Sequence, residues 1–404
     1  MGNTAGEDLR RKRVVYGITG GIAAYKAPLI VRGLTGAGIE VHAVMTETAR
    51  QFVTPLTIQT LTGRPVHTDM FPEVLPNPYE VEHIALADRA DLFLIAPATA
   101  NCIAKLSHGI ADDLLSCTVL AGKAPILICP SMNVNMLSNK ATRDNLDTLR
   151  SRGFNILEPA VGELACGWEG AGRLPEPERI VAEVEKLLFQ QDLVGLSILI
   201  TCGPTCEDID PVRFITNRST GKMGGALVEA ACMRGARVKV ISGEVPIEYA
   251  PWAEVLMVRS ARQMLAAVQD NLKHSDVLIM AAAVADYVPE TYRDSKIKKG
   301  DRLSSIPLKS SADILSEIKP MKEERFFVGF AAETENLADS AKDKMVRKGL
   351  DMIVANRIGE TGSGFASDTN SGIILTPEGV IDDFEQVDKS SLAHKILDFI
   401  RERV

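Results

Sequence analysis

The stretch Asp91-Leu92-Phe93-Leu94-Ile95-Ala96-Pro97-Ala98-Thr99-Ala100-Asn101 decides the fold, because it recurs as Asp276-Val277-Leu278-Ile279-Met280-Ala281-Ala282-Ala283-Val284-Ala285-Asp286. Each copy has an acidic start, an unbroken apolar run and a small-residue turn that ends on a polar side chain. An apolar run without alternation suits a strand buried on both faces of a parallel sheet. A polar residue at the carboxyl end of such a strand sits where open α/β sheets collect ligands. Working outward, the first half reads as a strand over 13–19, a Gly20-Gly21 turn, a helix over about 23–35, Gly38 and a strand over 40–45. The second half repeats this as a strand over 197–202, a glycine-bearing loop, a helix over about 224–234, Gly235 and a strand over 237–242. Both halves begin as βαβ units, so the expected class is α/β with two doubly wound, Rossmann-like domains.

Pro175-Glu176-Pro177-Glu178 starts a helix that the pattern carries to about residue 190, and Gln191-Asp192-Leu193-Val194-Gly195 leads into the second unit. The expected domains are therefore 1–190 and 191–404. At 404 residues, 46% apolar and 24% charged, the chain is long and apolar enough for two ordinary cores. A net charge of -8 gives no general attraction for nucleic acid, so an anionic ligand must be caught by a local cluster, which favours small anions over polymers. Seven cysteines without a CxxC pair, and no signal peptide or apolar run of membrane-spanning length, point to a reduced cytoplasm with no membrane association. Cys202 and Cys206 lack a nearby histidine pair and read as core thiols rather than metal ligands.

Between the strand over 197–202 and its helix lies Asp210-Pro211-Val212-Arg213-Phe214-Ile215-Thr216-Asn217-Arg218-Ser219-Thr220-Gly221-Lys222-Met223-Gly224-Gly225. Arg213, Asn217, Arg218, Ser219 and Lys222, with glycine N–H groups near a helix start, have the composition of a phosphate seat; a solvated basic loop is the plainer alternative. It is not a Walker A loop, because Thr216 and Met223 stand where that motif needs Gly and Ser or Thr. In the first half, Gly20 and Gly21 let backbone approach a phosphate and Thr46 adds a hydroxyl, although a structural turn explains two glycines equally well. Neither half has a G-x-G-x-x-G turn or an acid closing its second strand (Met45-Thr46, Ile241-Ser242), so a mononucleotide fits better than NAD.

Five segments of the first half, in order, resemble motifs of the flavin-containing cysteine decarboxylases. They are Thr19-Gly20-Gly21-Ile22-Ala23-Ala24-Tyr25-Lys26, Val81-Glu82-His83-Ile84, Ala96-Pro97-Ala98-Thr99-Ala100-Asn101, Pro130-Ser131-Met132-Asn133-Val134-Asn135-Met136, and Ala165-Cys166-Gly167 ahead of Gly172-Arg173-Leu174-Pro175-Glu176-Pro177. The stretch from Asp210 to Gly225, Ala281-Ala282-Ala283-Val284-Ala285-Asp286-Tyr287, Lys296-Ile297-Lys298-Lys299, Gly329-Phe330-Ala331-Ala332-Glu333-Thr334, and Lys344 with Lys348 ahead of Ala355-Asn356 resemble the matching ligase. Over nearly its whole length the chain resembles the bacterial bifunctional family that joins phosphopantothenoylcysteine decarboxylase to phosphopantothenate-cysteine ligase. Two departures touch loop detail: Trp168-Glu169 follows Cys166, and Arg357 follows Asn356 where the family commonly has aspartate.

The resemblance implies a flavodoxin-like decarboxylase domain followed by a ligase domain, working in coenzyme A biosynthesis. The ligase would join L-cysteine to 4'-phosphopantothenate using CTP, through an acyl-cytidylate, and the decarboxylase would convert the product to 4'-phosphopantetheine using FMN. Losing CO₂ from a carboxylated cysteine needs an electron sink, and with no lysine placed for a Schiff base a flavin is the available candidate. By resemblance, FMN contacts fall on Gly20, Gly21, Ile22, Thr46, Ala98, Thr99, Asn101, Ser116 and Met132. His83 would act as acid or base, Asn133 would hold the substrate carboxylate, and Cys166, on a Gly-rich flap over 162–172, would protonate the enethiol formed after CO₂ leaves.

Activating a carboxylate with a triphosphate calls for clustered cations, which Lys296, Lys298, Lys299, Lys344 and Lys348 supply, although such runs are usually solvated. The resemblance assigns Lys296 to forming the acyl-cytidylate and Asn217 to stabilising it. It places CTP on Ala281, Ala282, Asp286, Lys296, Ala312, Asp313, Ile314, Leu315, Phe330, Lys344 and Lys348, with Mg²⁺ held mainly by the nucleotide phosphates. It also implies a homo-oligomer, a dodecamer built from decarboxylase trimers and ligase dimers. The alternatives are an inert flavin-binding regulatory subunit of the same family, which Cys166, Asn217 and Lys296 argue against, and an NAD-dependent oxidoreductase, which the missing fingerprint disfavours.

Overall fold

A computed structural model describes residues 9, 12–71, 81–163, 167–298, 305–333, 336–357 and 367–404. Ala165, Cys166, Lys299 and Thr334 lie outside the described residues. The chain divides into two compact units, one ending at Gln190 and the other spanning Gln191–Val404.

The first unit runs β1 (Arg13–Ile18), α1 (Ala27–Gly36), β2 (Glu40–Met45), α2 (Pro55–Thr62), α3 (Glu82–Arg89), β3 (Leu92–Ala98), α4 (Ala100–His108), α5 (Leu114–Ala121), β4 (Ile126–Pro130), α6 (Val134–Ser138), α7 (Lys140–Ser151), β5 (Asn155–Ile156), β6 (Ala160–Glu163), β7 (Glu169–Arg173) and α8 (Pro177–Leu188). Its sheet is parallel with order β2-β1-β3-β4-β5, the flavodoxin-like order whose ligand crevice lies between β1 and β3. The helix expected from residue 23 is a 3₁₀ turn over Ile22–Lys26 before α1, and Pro28 lies in the first turn of α1, where its missing N–H costs nothing. Alternate residues of β3 feed two cores. Leu92, Leu94 and Ala96 pack with α1 and α8, while Phe93, Ile95 and Ala98 pack with α4 and α5. Burial on both faces is why the strand reads as a continuous apolar run.

The second unit runs β8 (Ser197–Cys202), β9 (Cys206–Asp208), β10 (Phe214–Thr216), α9 (Lys222–Met233), β11 (Arg237–Ser242), β12 (Glu254–Met257), α10 (Ala261–Leu272), β13 (Val277–Met280), β14 (Tyr287–Pro289), β15 (Leu308–Ser310), α11 (Ile314–Ile318), β16 (Phe326–Glu333), α12 (Leu337–Lys348), β17 (Met352–Arg357), β18 (Thr369–Thr376), β19 (Gly379–Asp388) and α13 (Lys389–Arg401). Its large sheet has the order β12-β11-β8-β13-β16-β17-β18-β19. The first six strands are parallel in the 3-2-1-4-5-6 Rossmann order, and β18 and β19 extend the sheet as an antiparallel hairpin. The loop expected between β8 and its helix holds the short antiparallel pair β9 and β10. The helix starts at Lys222 rather than near 224, because Gly221, with φ of 74°, takes the left-handed N-cap position.

The acidic starts of the repeated stretch do the same work in both units. Asp91 accepts the Arg13 N–H at 2.7 Å and Asp276 accepts the Ser197 N–H at 2.8 Å, so each fixes the register of its strand against the central one. Asp351 does this a third time, accepting the Phe327 N–H at 2.7 Å where β17 meets β16. The edge strand β12 exposes Val255, Leu256 and Met257. Among the described residues no helix is long and apolar enough to cross a membrane.

Candidate functional sites at the two switch points

In the first unit, Thr19 bridges the two loops that flank the crevice. Its buried hydroxyl donates to the Pro97 carbonyl at 2.7 Å and accepts the Thr99 N–H at 3.1 Å. Thr99 in turn caps α4 by accepting the Cys102 N–H at 3.3 Å. Gly20 must be glycine, since a Cβ there would fall 2.3 Å from Thr48 Oγ1 and 2.8 Å from the Thr48 carbonyl carbon. Thr48 meets the Thr46 hydroxyl at 3.2 Å, which brings Thr46 to the same turn. Gly20, Gly21, Ile22, Thr46, Thr99 and Asn101 thus lie just beyond the carboxyl ends of β1, β2 and β3, with Ile22 and Asn101 exposed and Ala98, the last residue of β3, buried. Ser116 differs: it is buried in the first turn of α5, where its N–H and hydroxyl both bond Asp113 at 2.8 Å in a capping box.

The loop after β4 joins this crevice through the Ser131 N–H, which donates to the Ala98 carbonyl at 3.0 Å. Met132 N–H donates to the Gly172 carbonyl at 3.1 Å, so the β6–β7 hairpin stands on this loop. Asn133 caps α6, its Oδ1 accepting the Asn135 N–H at 2.9 Å. Lys26, 6% exposed, reaches Glu176 at 2.9 Å and the Leu174 carbonyl at 3.3 Å, and Arg173 meets the same carboxylate at 2.8 Å. These contacts pin the chain that follows the hairpin to the 3₁₀ turn, and the Lys26 ammonium holds the Glu176 carboxyl below its usual range. His83 lies half-buried in the first turn of α3 beside Glu82, whose carboxylate pairs with His67 Nδ1. The His67 backbone is bonded to Ala43 and Met45 of β2, which tethers the start of α3 to the sheet. A flavin fits this crevice. At Gly21 the nearest atom to an added Cβ is Thr99 Cγ2 at 3.7 Å, so the turn is open to a close-lying group, and the exposed Ile22 flanks it.

The second unit holds a cleft of about 350 Å³ at the carboxyl ends of β13, β16 and β17 and the first turn of α9. Asn217, Ala281, Ala282, Asp286, Phe330 and Lys344, all expected site residues, line it together with Ser219 and Lys222 of the basic loop. Asn217 Nδ2 donates to the Ala283 and Val284 carbonyls at 2.9 and 3.2 Å, fixing the end of β10 to the turn after β13. Lys344 Nζ donates to the Phe330 carbonyl at 3.4 Å. Ala312, Asp313, Ile314, Leu315 and Lys348 form a cluster outside the cleft lining. In it Asp313 caps α11, Lys348 pairs with Asp313, and burial pushes the Lys348 pKa down against the pull of Asp286.

Lys296 is exposed and is also absent from the cleft lining. The chain next to it is held from both sides, since the buried Asp210 carboxylate accepts the Ile297 N–H at 3.1 Å and Arg213 donates to the Ile297 carbonyl at 2.9 Å. Burial works against the Asp210 charge, but the amides of Ile297, Val212 and Arg213 and the Arg213 guanidinium together hold its carboxyl below the usual range. Among the described residues no group of three or more His, Cys, Asp or Glu side chains is placed to hold a metal ion.

Residues 193–404 match the family described as DNA/pantothenate metabolism flavoprotein C-terminal domain, and residues 3–189 match the family described as flavoprotein. Over 393 residues the chain is 46% identical to the coenzyme A biosynthesis bifunctional protein CoaBC of Bacillus subtilis (strain 168), with 96% of each chain covered. The chain belongs to the coenzyme A biosynthesis bifunctional protein family. A solved C-terminal domain of a protein described as CoaBC is 37% identical, with 53% of this chain and 97% of that one covered and a TM-score of 0.46. The FMN-dependent cysteine decarboxylase SpaF is 35% identical, with 45% of this chain and 97% of that one covered and a TM-score of 0.39.

In this member of the coenzyme A biosynthesis bifunctional family, the Rossmann order of the second unit comes with a side chain packed against the turn after β8. A Cβ on Gly203 or Gly221 would fall 2.5 or 2.7 Å from Val245 Cγ1, so Val245 packs where a dinucleotide phosphate would approach the turn after β8. Tyr249 OH lies 2.6 Å from Ser242 Oγ, at the end of β11, where a dinucleotide enzyme presents its ribose-binding acid. Sequence reasoning missed Val245, Tyr249, Asn370 and Lys389, the last two of which line the cleft. Asn370 lies on β18 and Lys389 opens α13, elements that reach the cleft only through the antiparallel hairpin.

Proposed function

We propose that the chain carries out two consecutive steps of coenzyme A biosynthesis. Residues 191–404 join L-cysteine to 4'-phosphopantothenate using CTP, and residues 1–190 decarboxylate the product to 4'-phosphopantetheine with FMN. The observation that carries the ligase reading is the convergence of Asn217, Asp286, Phe330 and Lys344 in one cleft at a Rossmann switch point. An inert flavin-binding subunit would have no use for such a cleft.

In the ligase, the pantothenate carboxylate attacks the α-phosphorus of CTP and pyrophosphate leaves. The cysteine amine then attacks the acyl carbon, CMP leaves, and the amine loses a proton. Lys344 and Lys222 face the cleft and offset the negative charge that grows on the phosphates during the first displacement. Asn217, its Nδ2 fixed by two carbonyls, is pre-oriented to hold the acyl-cytidylate while cysteine attacks. Lys296 serves the cytidylyl transfer from its exposed loop. Mg²⁺ enters with the nucleotide phosphates.

In the decarboxylase, a flavin held by Gly20, Gly21, Ile22, Thr46, Ala98, Thr99, Asn101 and Met132 would supply reversible two-electron chemistry. Asn133 orients the substrate carboxylate, His83 moves the proton that accompanies oxidation of the cysteine moiety, and Cys166 protonates the enethiol. We place the protein in the cytoplasm as a homo-oligomer, a dodecamer of decarboxylase trimers and ligase dimers, and exposed apolar side chains on each unit support this reading. The first unit exposes Ile22, Tyr25, Leu29, Phe52 and Leu56, and the second exposes Val255, Leu256 and Met257. The test is incubation of the purified chain with CTP, Mg²⁺, cysteine and 4'-phosphopantothenate. A yellow protein that forms CMP, pyrophosphate, CO₂ and 4'-phosphopantetheine is expected, and a colourless or inert one overturns the reading.

A further inference from the structure

We propose that His67 is a positioning residue for the decarboxylase: through Glu82 it fixes the turn that presents His83, and it ties that turn to the end of β2. The inference rests on the decarboxylase reading, in which His83 moves a proton at the cysteine moiety. His83 is the second residue of α3, and Val81 stands at the N-cap of that helix with no side-chain oxygen to offer its N–H groups. Two backbone bonds close the first turn, from the Ile84 and Ala85 N–H groups to the Val81 carbonyl, each at 3.0 Å. A helix end without a cap frays. The second turn is held differently, because Leu86 and Ala87 are buried in the core to which α5 contributes Leu115 and Val119.

What steadies the first turn is Glu82, whose carboxylate reaches back along the chain to His67 Nδ1. Both side chains are 15% exposed, so water and salt screen this pair less than a surface pair. His67 is itself a fixed post. Its N–H donates to the Ala43 carbonyl and its carbonyl accepts the Met45 N–H, both at 2.9 Å, and the neighbouring Val66 packs on the core. Met45 is followed by Thr46, so one residue spans from the flavin end of β2 to the turn that carries His83. An ionised Glu82 can only accept, so His67 keeps a proton on Nδ1, and the Glu82 charge is engaged there instead of beside His83. General acid–base work needs the imidazole within about 2.6–3.2 Å of its partner. A turn free to shift by about 1 Å therefore costs rate more than binding.

The test joins kinetics of the FMN-loaded full chain on 4'-phosphopantothenoylcysteine to amide hydrogen exchange on the flavin-stripped chain. His67→Ala is expected to lower kcat about ten- to a hundredfold, with KM and FMN affinity near wild type. It should also speed exchange at Ile84 and Ala85 while the second turn of α3 stays protected. His67→Asn, whose side-chain amide puts a donor where Nδ1 stands, is expected to restore most of both. In a His83→Ala background, where single turnovers read the residual rate, His67→Ala should cost nothing further, because it acts through His83. A wild-type kcat in His67→Ala, an equal loss in His67→Asn, or a further loss in the His83→Ala background overturns the proposal. A lower melting temperature with kcat unchanged makes His67 a tether for folding only, and overturns it too. A wild-type chain that releases no CO₂ would instead overturn the decarboxylase reading itself.

Discussion

Two neighbouring glycines in the first unit allow folding and flavin binding to be tested apart. In Gly20→Ala the new methyl would lie 2.3 Å from Thr48 Oγ1, 2.4 Å from Thr48 Cβ and 2.8 Å from the Thr48 carbonyl carbon. Moving the hydroxyl alone does not relieve a clash with backbone, so the turn or the Thr48 segment must shift, at an overpacking cost of about 1–3 kcal/mol. For a unit of this size each kcal/mol lowers the melting temperature by about 2–4 °C. In Gly21→Ala the nearest atom is Thr99 Cγ2 at 3.7 Å, an ordinary contact, so stability should stay within about 0.5 kcal/mol of wild type. If FMN lies against this turn, the Gly21 methyl displaces it and removes a hydrogen bond to a charged group, worth about 1.5–3 kcal/mol, or roughly ten- to a hundredfold in Kd. Calorimetry on the flavin-stripped full chain reads the first effect, and titration followed by flavin fluorescence reads the second. Wild-type FMN affinity in Gly21→Ala, or a wild-type melting temperature in Gly20→Ala, would refute the placement of the flavin or of the strain.

Thr19→Val keeps the shape but strands the Pro97 carbonyl and the Thr99 N–H, so the first unit should lose about 1–3 kcal/mol in the same calorimetric experiment. Cys166→Ser should still release CO₂ while accumulating the oxidised enethiol, seen by mass spectrometry, and normal 4'-phosphopantetheine output would remove Cys166 from the mechanism. Lys296→Gln should form no acyl-cytidylate, whereas Asn217→Asp should form it and pass it on slowly; rapid-quench analysis that finds both blocked at one step would contradict this division of roles. Asp192 should set part of the acid limit of the second unit. Burial opposes its charge, but Arg234 and Arg401 hold its carboxyl below the usual range. A depressed folded pKa gives stability that is fully present above the unfolded value of about 3.9 and is lost as pH falls through the folded value. Asp192→Asn should therefore flatten the fall in stability on acidification, as followed by denaturant titrations between about pH 5 and pH 3.

The fold was legible where one physical demand shaped several neighbouring residues. The repeat from Asp91 and Asp276 stood out because burial on two faces requires an unbroken apolar run, and because each aspartate must reach a backbone N–H of the adjacent central strand. The strands over 40–45, 197–202 and 237–242 have the bounds that the pattern indicates. The β9–β10 pair escaped notice because three-residue strands carry no measurable alternation and their pairing is fixed by a turn around Asp210. In the ligase, residues within a strand-end motif, such as Asp286 and Phe330, were visible and do line the cleft. Lys389 was not, because a lysine that opens a helix reads as a solvated charge until the hairpin of β18 and β19 turns it inward.

The packing of Val245 against the turn after β8 bears on which ligands this enzyme can take. An acid introduced at Ser242 would meet the Tyr249 hydroxyl instead of a ribose, and no change at the strand ends removes Val245 from Gly203 and Gly221. Val245 and Tyr249 thus occupy the two places where a dinucleotide fold offers its phosphate turn and its ribose-binding acid. Compounds that copy a dinucleotide should therefore bind this unit weakly. The cleft lined by Asp286, Phe330 and Lys344 is the place for ligands of another shape.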